Sequence, residues 1–442
     1  MARVEDDEAG DAKGSLLAIA VLAPLAGALA GALGALFRFA LNRADAVRGI
    51  LAAAAQGASI VGLIGLVVAI ALAAALAAFL VQRYARQASG SGIPHVELVL
   101  SGEAQQATFR LIPVKFFGGW LAIGSGLALG REGPSVQMGA TLAHLIGKFF
   151  RCDWDDCRML LAAGAGAGLA TAFNAPIAGA VFVLEELVRR FETRIAIAAL
   201  GASATAIAVA RAILGDQNDF TVPDFAPPAP GSFPLYVAFG LIAGLAAIAY
   251  NRSILGSMDL FDRFAAVPVV VKAALVGALV GIIAWFAPDL VGGGDPLTQR
   301  ALLGEGTLSA IAAIFALRFV LGALSYAAGT PGGLFAPMLV LGADLGLGTG
   351  RVAAWLFPGL GVDPRGFALV GMAAFFAGVV RAPLTGLVLV VEMTASTVLL
   401  VPMLGATFAA MLVTTILRNP PIYDSLRERA RAGAAKSGSA RD

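Results

Sequence analysis

The chain has 442 residues, 59% of them hydrophobic and 14% charged, with a net charge of +2 and a mean hydropathy of +0.84. That balance excludes an ordinary soluble domain and offers no basic surface for a nucleic-acid partner. The apolar runs are continuous rather than alternating, which excludes a β-barrel and predicts an all-α polytopic membrane protein in contact with a lipid bilayer.

In chain order, residues 1–14 carry Glu5, Asp6, Asp7, Glu8 and Asp11, unlike the basic start of a secretory signal, and read as a polar cytoplasmic tail. Apolar runs at Leu16–Phe37 and Ile50–Val81 predict the first spans, with Arg38, Arg43 and Arg48 in a loop between them. Gly90-Ser91-Gly92-Ile93-Pro94 follows, then Lys115 at the head of a long uncharged stretch, then Gly130-Arg131-Glu132-Gly133-Pro134 between two apolar runs. A carboxylate at that depth is costly and marks a functional site by default. Cys152 and Cys157 lie in a polar loop without the further ligands a metal site needs. Asn174-Ala175-Pro176 leads to the paired Glu185 and Glu186, and Ile195–Leu214 predicts another span. Asp216–Ser232 is proline-rich and acidic, has no Lys or Arg, and reads as an external linker. Spans are predicted at Leu235–Tyr250, Ala273–Phe286 and Val398–Leu417. Between them lie Arg318, the loop Gly332-Gly333-Leu334-Phe335-Ala336-Pro337 and Arg381-Ala382-Pro383. The segment 424–442 is basic and reads as a cytoplasmic tail with no room for a regulatory domain.

These features repeat. Lys115-Phe116 precedes Pro134 by 19 residues, and Arg318-Phe319 precedes Pro337 by 19. Glu185 lies nine residues after Pro176, and Glu392 nine after Pro383. The chain therefore divides into a first transmembrane repeat (15–215), the linker (216–232) and a second repeat (233–423). Matched interrupted helices in two halves point to a substrate site near the membrane midplane. Packing alone accounts for most of the 54 glycines, but it does not require Glu132 or the paired loops.

Three loops share one chemistry. In each, glycine lets the backbone bend and proline falls in a first helical turn, leaving free N–H groups at the positive end of a helix dipole. Converging, these ends suit a halide that must also leave, and Ser91 adds an O–H donor.

The three loops, in this order and with Asn174-Ala175-Pro176, Arg381-Ala382-Pro383-Leu384-Thr385-Gly386 and Asn419-Pro420-Pro421-Ile422-Tyr423, resemble the CLC family of chloride channels and proton-coupled chloride transporters, from about Leu16 to Tyr423. The resemblance implies the CLC-type inverted repeat with broken and re-entrant helices. It implies a chloride site made by Ser91, Tyr423 and the backbones of Leu334 and Phe335, with Arg131 and Gly133 lining an outer site. Glu132 matches the gating glutamate, and Glu186 matches the inner glutamate that passes protons in exchangers and is usually absent from channels. The expected activity is H+/Cl– antiport, with a passive chloride channel of the same fold as the alternative. The cargo is chloride and protons, with no cofactor and no metal. A homodimer in a bacterial inner membrane, with both termini cytoplasmic, is also implied. His95 stands where the family pattern has glutamate. Lys115 reads as support for the site, with Glu97 and Glu186 as candidate partners. An enzyme is not expected, since the chain has two histidines, no His-Glu-x-x-His and no serine with a credible base.

Overall fold

A bilayer offers backbone groups no water, so apolar segments satisfy their N–H and C=O groups internally, as helices. A computed structural model of the chain describes residues 2–216 and 218–439, with side chains in the terminal helices described from Ile19 to Ala432. The described residues are almost wholly helical, with two isolated β-bridges and no strand. The first half runs α1 (Ala2–Gly57), α2 (Ser59–Tyr84), α3 (Ile93–Leu100), α4 (Leu111–Gly124), α5 (Glu132–Phe149), α6 (Trp154–Phe173), α7 (Pro176–Phe182) and α8 (Thr193–Leu214). The second runs α9 (Phe233–Arg263), α10 (Val269–Phe286), α11 (Asp295–Leu302), α12 (Leu308–Ala327), α13 (Phe335–Leu356), α14 (Pro364–Val380), α15 (Pro383–Thr394) and α16 (Leu400–Ile416), and α17 (Ile422–Ser439) follows. Among the described residues, seven helices are long and apolar enough to cross a membrane.

The halves match element for element. α5 meets α6 at Gly139 and Gly164, and α13 meets α14 at the corresponding Gly342 and Gly371. The repeated glutamates are where the halves interlock. Glu392 of α15 caps α7, accepting from the amides of Ile177 (3.0 Å) and Ala178 (2.7 Å). Glu185, in a π-helical turn at Val183–Leu187, caps α15 in return through the amides of Leu384 (2.9 Å) and Thr385 (2.7 Å). Each carboxylate thus neutralises the positive end of the other half's short helix.

Two expectations are corrected. α1 does not end near Phe37. It continues helically through Arg38, Arg43 and Arg48 to Gly57, and the break falls inside the run Ile50–Val81, at Ala58 before Ser59 (φ +57°). Arg38 and Arg48 need no solvent loop, because both are engaged by the protein. Arg38 donates to the Thr171 carbonyl (3.1 Å), and Arg48 donates to the Gly124 carbonyl (2.9 Å). At the other end, residues 424–439 belong to α17, where Arg431 pairs with Glu103 at 2.5 Å and Arg427 reaches Asp424 at 3.0 Å. Lys115, finally, meets neither Glu97 nor Glu186, as described below. The acidic side chains of residues 1–14 lie outside the described side chains.

Candidate anion and proton site

The three glycine-proline loops converge, and backbone hydrogen bonds lace them together. Gly90 donates to Thr330 O and accepts from Gly332 N, both at 3.0 Å. Gly130 and Gly333 exchange both bonds, Gly130 N to Gly333 O at 2.9 Å and Gly333 N to Gly130 O at 2.7 Å. A first-half loop and a second-half loop therefore share one fixed frame, with α3, α5 and α13 starting from it. Lys115 of α4 is fully buried and holds the first loop from behind, donating to Ala88 O (3.0 Å) and Gly90 O (2.8 Å). Its mirror, Arg318 of α12, does the same for a fourth loop, donating to the carbonyls of Leu290 (3.2 Å), Gly292 (2.8 Å) and Gly293 (3.0 Å). Both cations satisfy carbonyls left over by a broken helix, which is why they are tolerated inside the protein.

Glu132 stands at the start of α5, wholly buried. Its Oε1 accepts the Phe335 backbone N–H at 2.7 Å, so a first-half carboxylate sits on the first free amide of α13 in the second half. Gly130 and Gly333 form the cradle. A Cβ at either would run into the Glu132 carboxylate, and one at Gly333 would also lie 2.8 Å from the Gly133 amide nitrogen.

The other predicted residues gather around this point. Gly133, in the first turn of α5, packs against the Ser91 backbone. Ser91 is buried, and its Oγ accepts from Ile93 N at 3.3 Å. Leu334 is the cap residue of α13. The Phe335 ring lies 6.1 Å from the Tyr423 ring, among Phe173, Phe182 and Phe376. Tyr423 is fully buried at the start of α17, and its Oη has no partner among the described residues. Buried polar groups without a partner are rare, so this hydroxyl is a donor suited to an anion. Arg131 points away from the carboxylate, donating to Ala172 O (2.7 Å), Asp219 (3.1 Å) and Asp295 (3.1 Å).

Glu186 lies elsewhere, in the π-helical turn, 3% exposed. Arg189 contacts it at 3.3 Å and also reaches Glu97 (3.6 Å) and Asp424 (2.7 Å), while Arg427 reaches Glu97 at 4.0 Å. Three carboxylates and two guanidiniums thus form a cluster where α3, the π-helical turn and α17 meet. Because Asp424 adjoins Tyr423, this cluster abuts the start of α17. His95 is half-buried and lies 3.4 Å from Gln137.

Sequence reasoning missed Tyr326, Asp219 and the fourth loop. Tyr326 is buried, and its hydroxyl accepts the Ser91 amide at 3.4 Å. Its signal was a rare tyrosine five residues before Pro331. The fourth loop, Gly292-Gly293-Gly294-Asp295-Pro296, has the same spacing of glycines and proline as Gly90-Ser91-Gly92-Ile93-Pro94, and it leads into α11 as the first loop leads into α3. Asp219 gave no signal beyond its charge.

A family model described as "Voltage gated chloride channel" matches residues 73–415. A protein of Vibrio parahaemolyticus, named H(+)/Cl(-) exchange transporter ClcA, is 37% identical over 420 residues, which is 93% of this chain and 89% of that one. A protein of the same name from Vibrio cholerae is 39% identical over 357 residues, covering 79% and 76%. A crystal structure of a slow cyanobacterial Cl–/H+ antiporter superposes with a TM-score of 0.90 at 33% identity, covering 94% of this chain and 98% of that one. A CLC-type fluoride/proton antiporter superposes with a TM-score of 0.76 at 24% identity, over 90% of this chain and 95% of that one, a likeness of fold alone.

Proposed function

The chain belongs to the CLC family of voltage-gated chloride channels and their transporter relatives, and from that membership we propose that it exchanges chloride for protons across the membrane. The observation that carries this reading is the seat of Glu132. The Glu132 carboxyl oxygen accepts the Phe335 amide in the frame where three helix starts converge. Those amides suit an anion, and a carboxylate and a chloride have the same sign, so they compete for one place. Protonation removes the charge that holds Glu132 there, the side chain leaves, and chloride takes the donors. Chloride and proton movements are then two halves of one exchange. Exchange is favoured over a passive channel by Glu186, by the relatives named as H(+)/Cl(-) exchange transporters, and by the antiporter structure that matches nearly the whole chain.

In this reading Ser91 and Tyr423 offer hydroxyl donors to a central chloride, and the amides of Leu334 and Phe335 complete its shell. Arg131 and Gly133 line the outer position that Glu132 holds. Glu186 passes protons between the cytoplasm and Glu132, and the Arg189 cluster holds it in place. Lys115 fixes the first loop. The linker 216–232 faces outward, the α17 end faces the cytoplasm with both termini, and the membrane is a bacterial inner membrane. The subunit works within a homodimer, each copy carrying its own pathway.

The test is paired flux. Purified protein in liposomes with a chloride gradient and no proton gradient should drive protons uphill. Chloride moving without protons would assign the passive channel instead.

A further inference from the structure

The segment joining the two halves crosses the outer mouth and is pinned on both sides. The Phe220 amide donates to Met393 O at 3.1 Å, at the end of α15. Thr221 and Gln299 of α11 exchange bonds of 2.9 and 2.7 Å. Between these anchors and α1 lies Asp219, its side chain 5% exposed. One oxygen takes Arg38 at 2.6 Å and the other takes Arg131 at 3.1 Å. Two guanidiniums thus share one buried carboxylate, and the second of them belongs to the residue immediately before Glu132. Arg131 also reaches Asp295 at 3.1 Å, so the linker, the first half and the second half meet on one side chain. Beneath them is a cavity of about 400 Å3, lined by Asp45, Arg48, Gly130, Arg131, Asp295 and Ala336 among others. It opens onto the loop that carries Glu132.

We propose that Asp219 is a positioning residue for the gate. By binding Arg38 and Arg131 together, it fixes the loop ahead of Glu132 and sets the charge that the Glu132 carboxylate feels. The proposal rests on the reading of Glu132 as the exchanging carboxylate. The charged groups at this mouth are Arg38, Asp45 and Arg48 on α1, Arg131 before α5, Asp219 on the linker, Asp289 ahead of α11 and Asp295 at its start, and Glu132 also interacts with Lys115 of α4, Tyr250 of α9, Tyr326 of α12 and Tyr423 of α17. Removing Asp219 leaves two cations facing each other with Asp295 as the nearer remaining counter-charge. The mouth gains one positive charge. That favours ionised, seated Glu132, because a nearby opposite charge stabilises a carboxylate. Protonation of the gate then needs more acid.

The test uses Asp219→Asn, which keeps shape and an acceptor but loses the charge, and Asp219→Glu, which keeps the charge. Paired flux is read over a pH series, with thermal stability and gel filtration as checks of folding. Asp219→Asn should move the pH profile of coupled transport toward acid by about one unit and lower turnover at neutral pH several-fold. Asp219→Glu should restore most of that shift. In a Glu132→Gln background, where no carboxylate titrates at the gate, Asp219→Asn should change passive chloride flux less than about twofold. A pH profile of folded Asp219→Asn coincident with the parent would overturn the proposal. So would an equal loss of chloride flux in the Glu132→Gln background, which would make Asp219 a structural strut only. Coupled transport surviving in Glu132→Gln alone would overturn the gate reading itself, and the positioning role with it.

Discussion

Glu132→Gln in liposomes is expected to keep passing chloride while proton transport falls by about a hundredfold or more, the scale of a lost proton-transfer group. Glutamine has the size of the protonated side chain and carries no charge. It has no claim on the Phe335 amide comparable with that of a carboxylate, which Glu132 engages at 2.7 Å. It also has no proton to exchange. Chloride should bind more tightly than to the parent, since its competitor has gone, and its flux should lose dependence on pH. Paired electrode recordings of chloride and proton efflux check both points. Retained uphill proton movement would remove Glu132 from the proton route.

Glu186→Gln should have the opposite signature. It is buried away from the three-loop frame and tied to Arg189, Glu97 and Asp424 through one cluster. Neutralising it removes a proton carrier from that cluster and leaves the chloride-facing amides and hydroxyls untouched. Uphill proton transport should drop by about ten- to a hundredfold. Chloride affinity, by calorimetry, should stay within about twofold, since the two sites share no ligand. Full coupling in this variant would move the inner proton station to Glu97 or Asp424. Loss of chloride binding would mean that the cluster also shapes the central site.

The fold class was legible because apolar runs of membrane length admit one solution, and the repeat was legible because Lys115, Pro134, Pro176 and Glu185 recur at matched spacing. The glycine-proline loops were legible as helix starts, since glycine, proline and an absent cap leave few other structures. What the sequence hid was every contact between distant segments. Hydropathy placed Lys115 in a membrane span but said nothing of the Ala88 and Gly90 carbonyls it would satisfy, so acidic partners were the natural expectation. The same blindness ended α1 at a cluster of arginines. Arg38 stays helical because Asp219 and Thr171, more than a hundred residues away, receive its donors. The exchange of backbone bonds between Gly130 and Gly333 has no local signature at all, yet it sets the distance between the gate and its seat. Glu185 and Glu392 were visible as a repeated pair, but their reciprocal capping became visible only once α7 and α15 were brought side by side.

The central claim is that chloride and the Glu132 carboxylate compete for the same donors. Linkage then requires chloride binding to be accompanied by proton uptake, because displaced Glu132 leaves the amides that favoured its charge. The direct measurement is calorimetric chloride titration in buffers of different ionisation enthalpy, on the parent protein and on Glu132→Gln. The parent should take up a fraction of a proton per chloride bound, and Glu132→Gln none. Chloride binding to the parent with no proton uptake at any pH would contradict the claim.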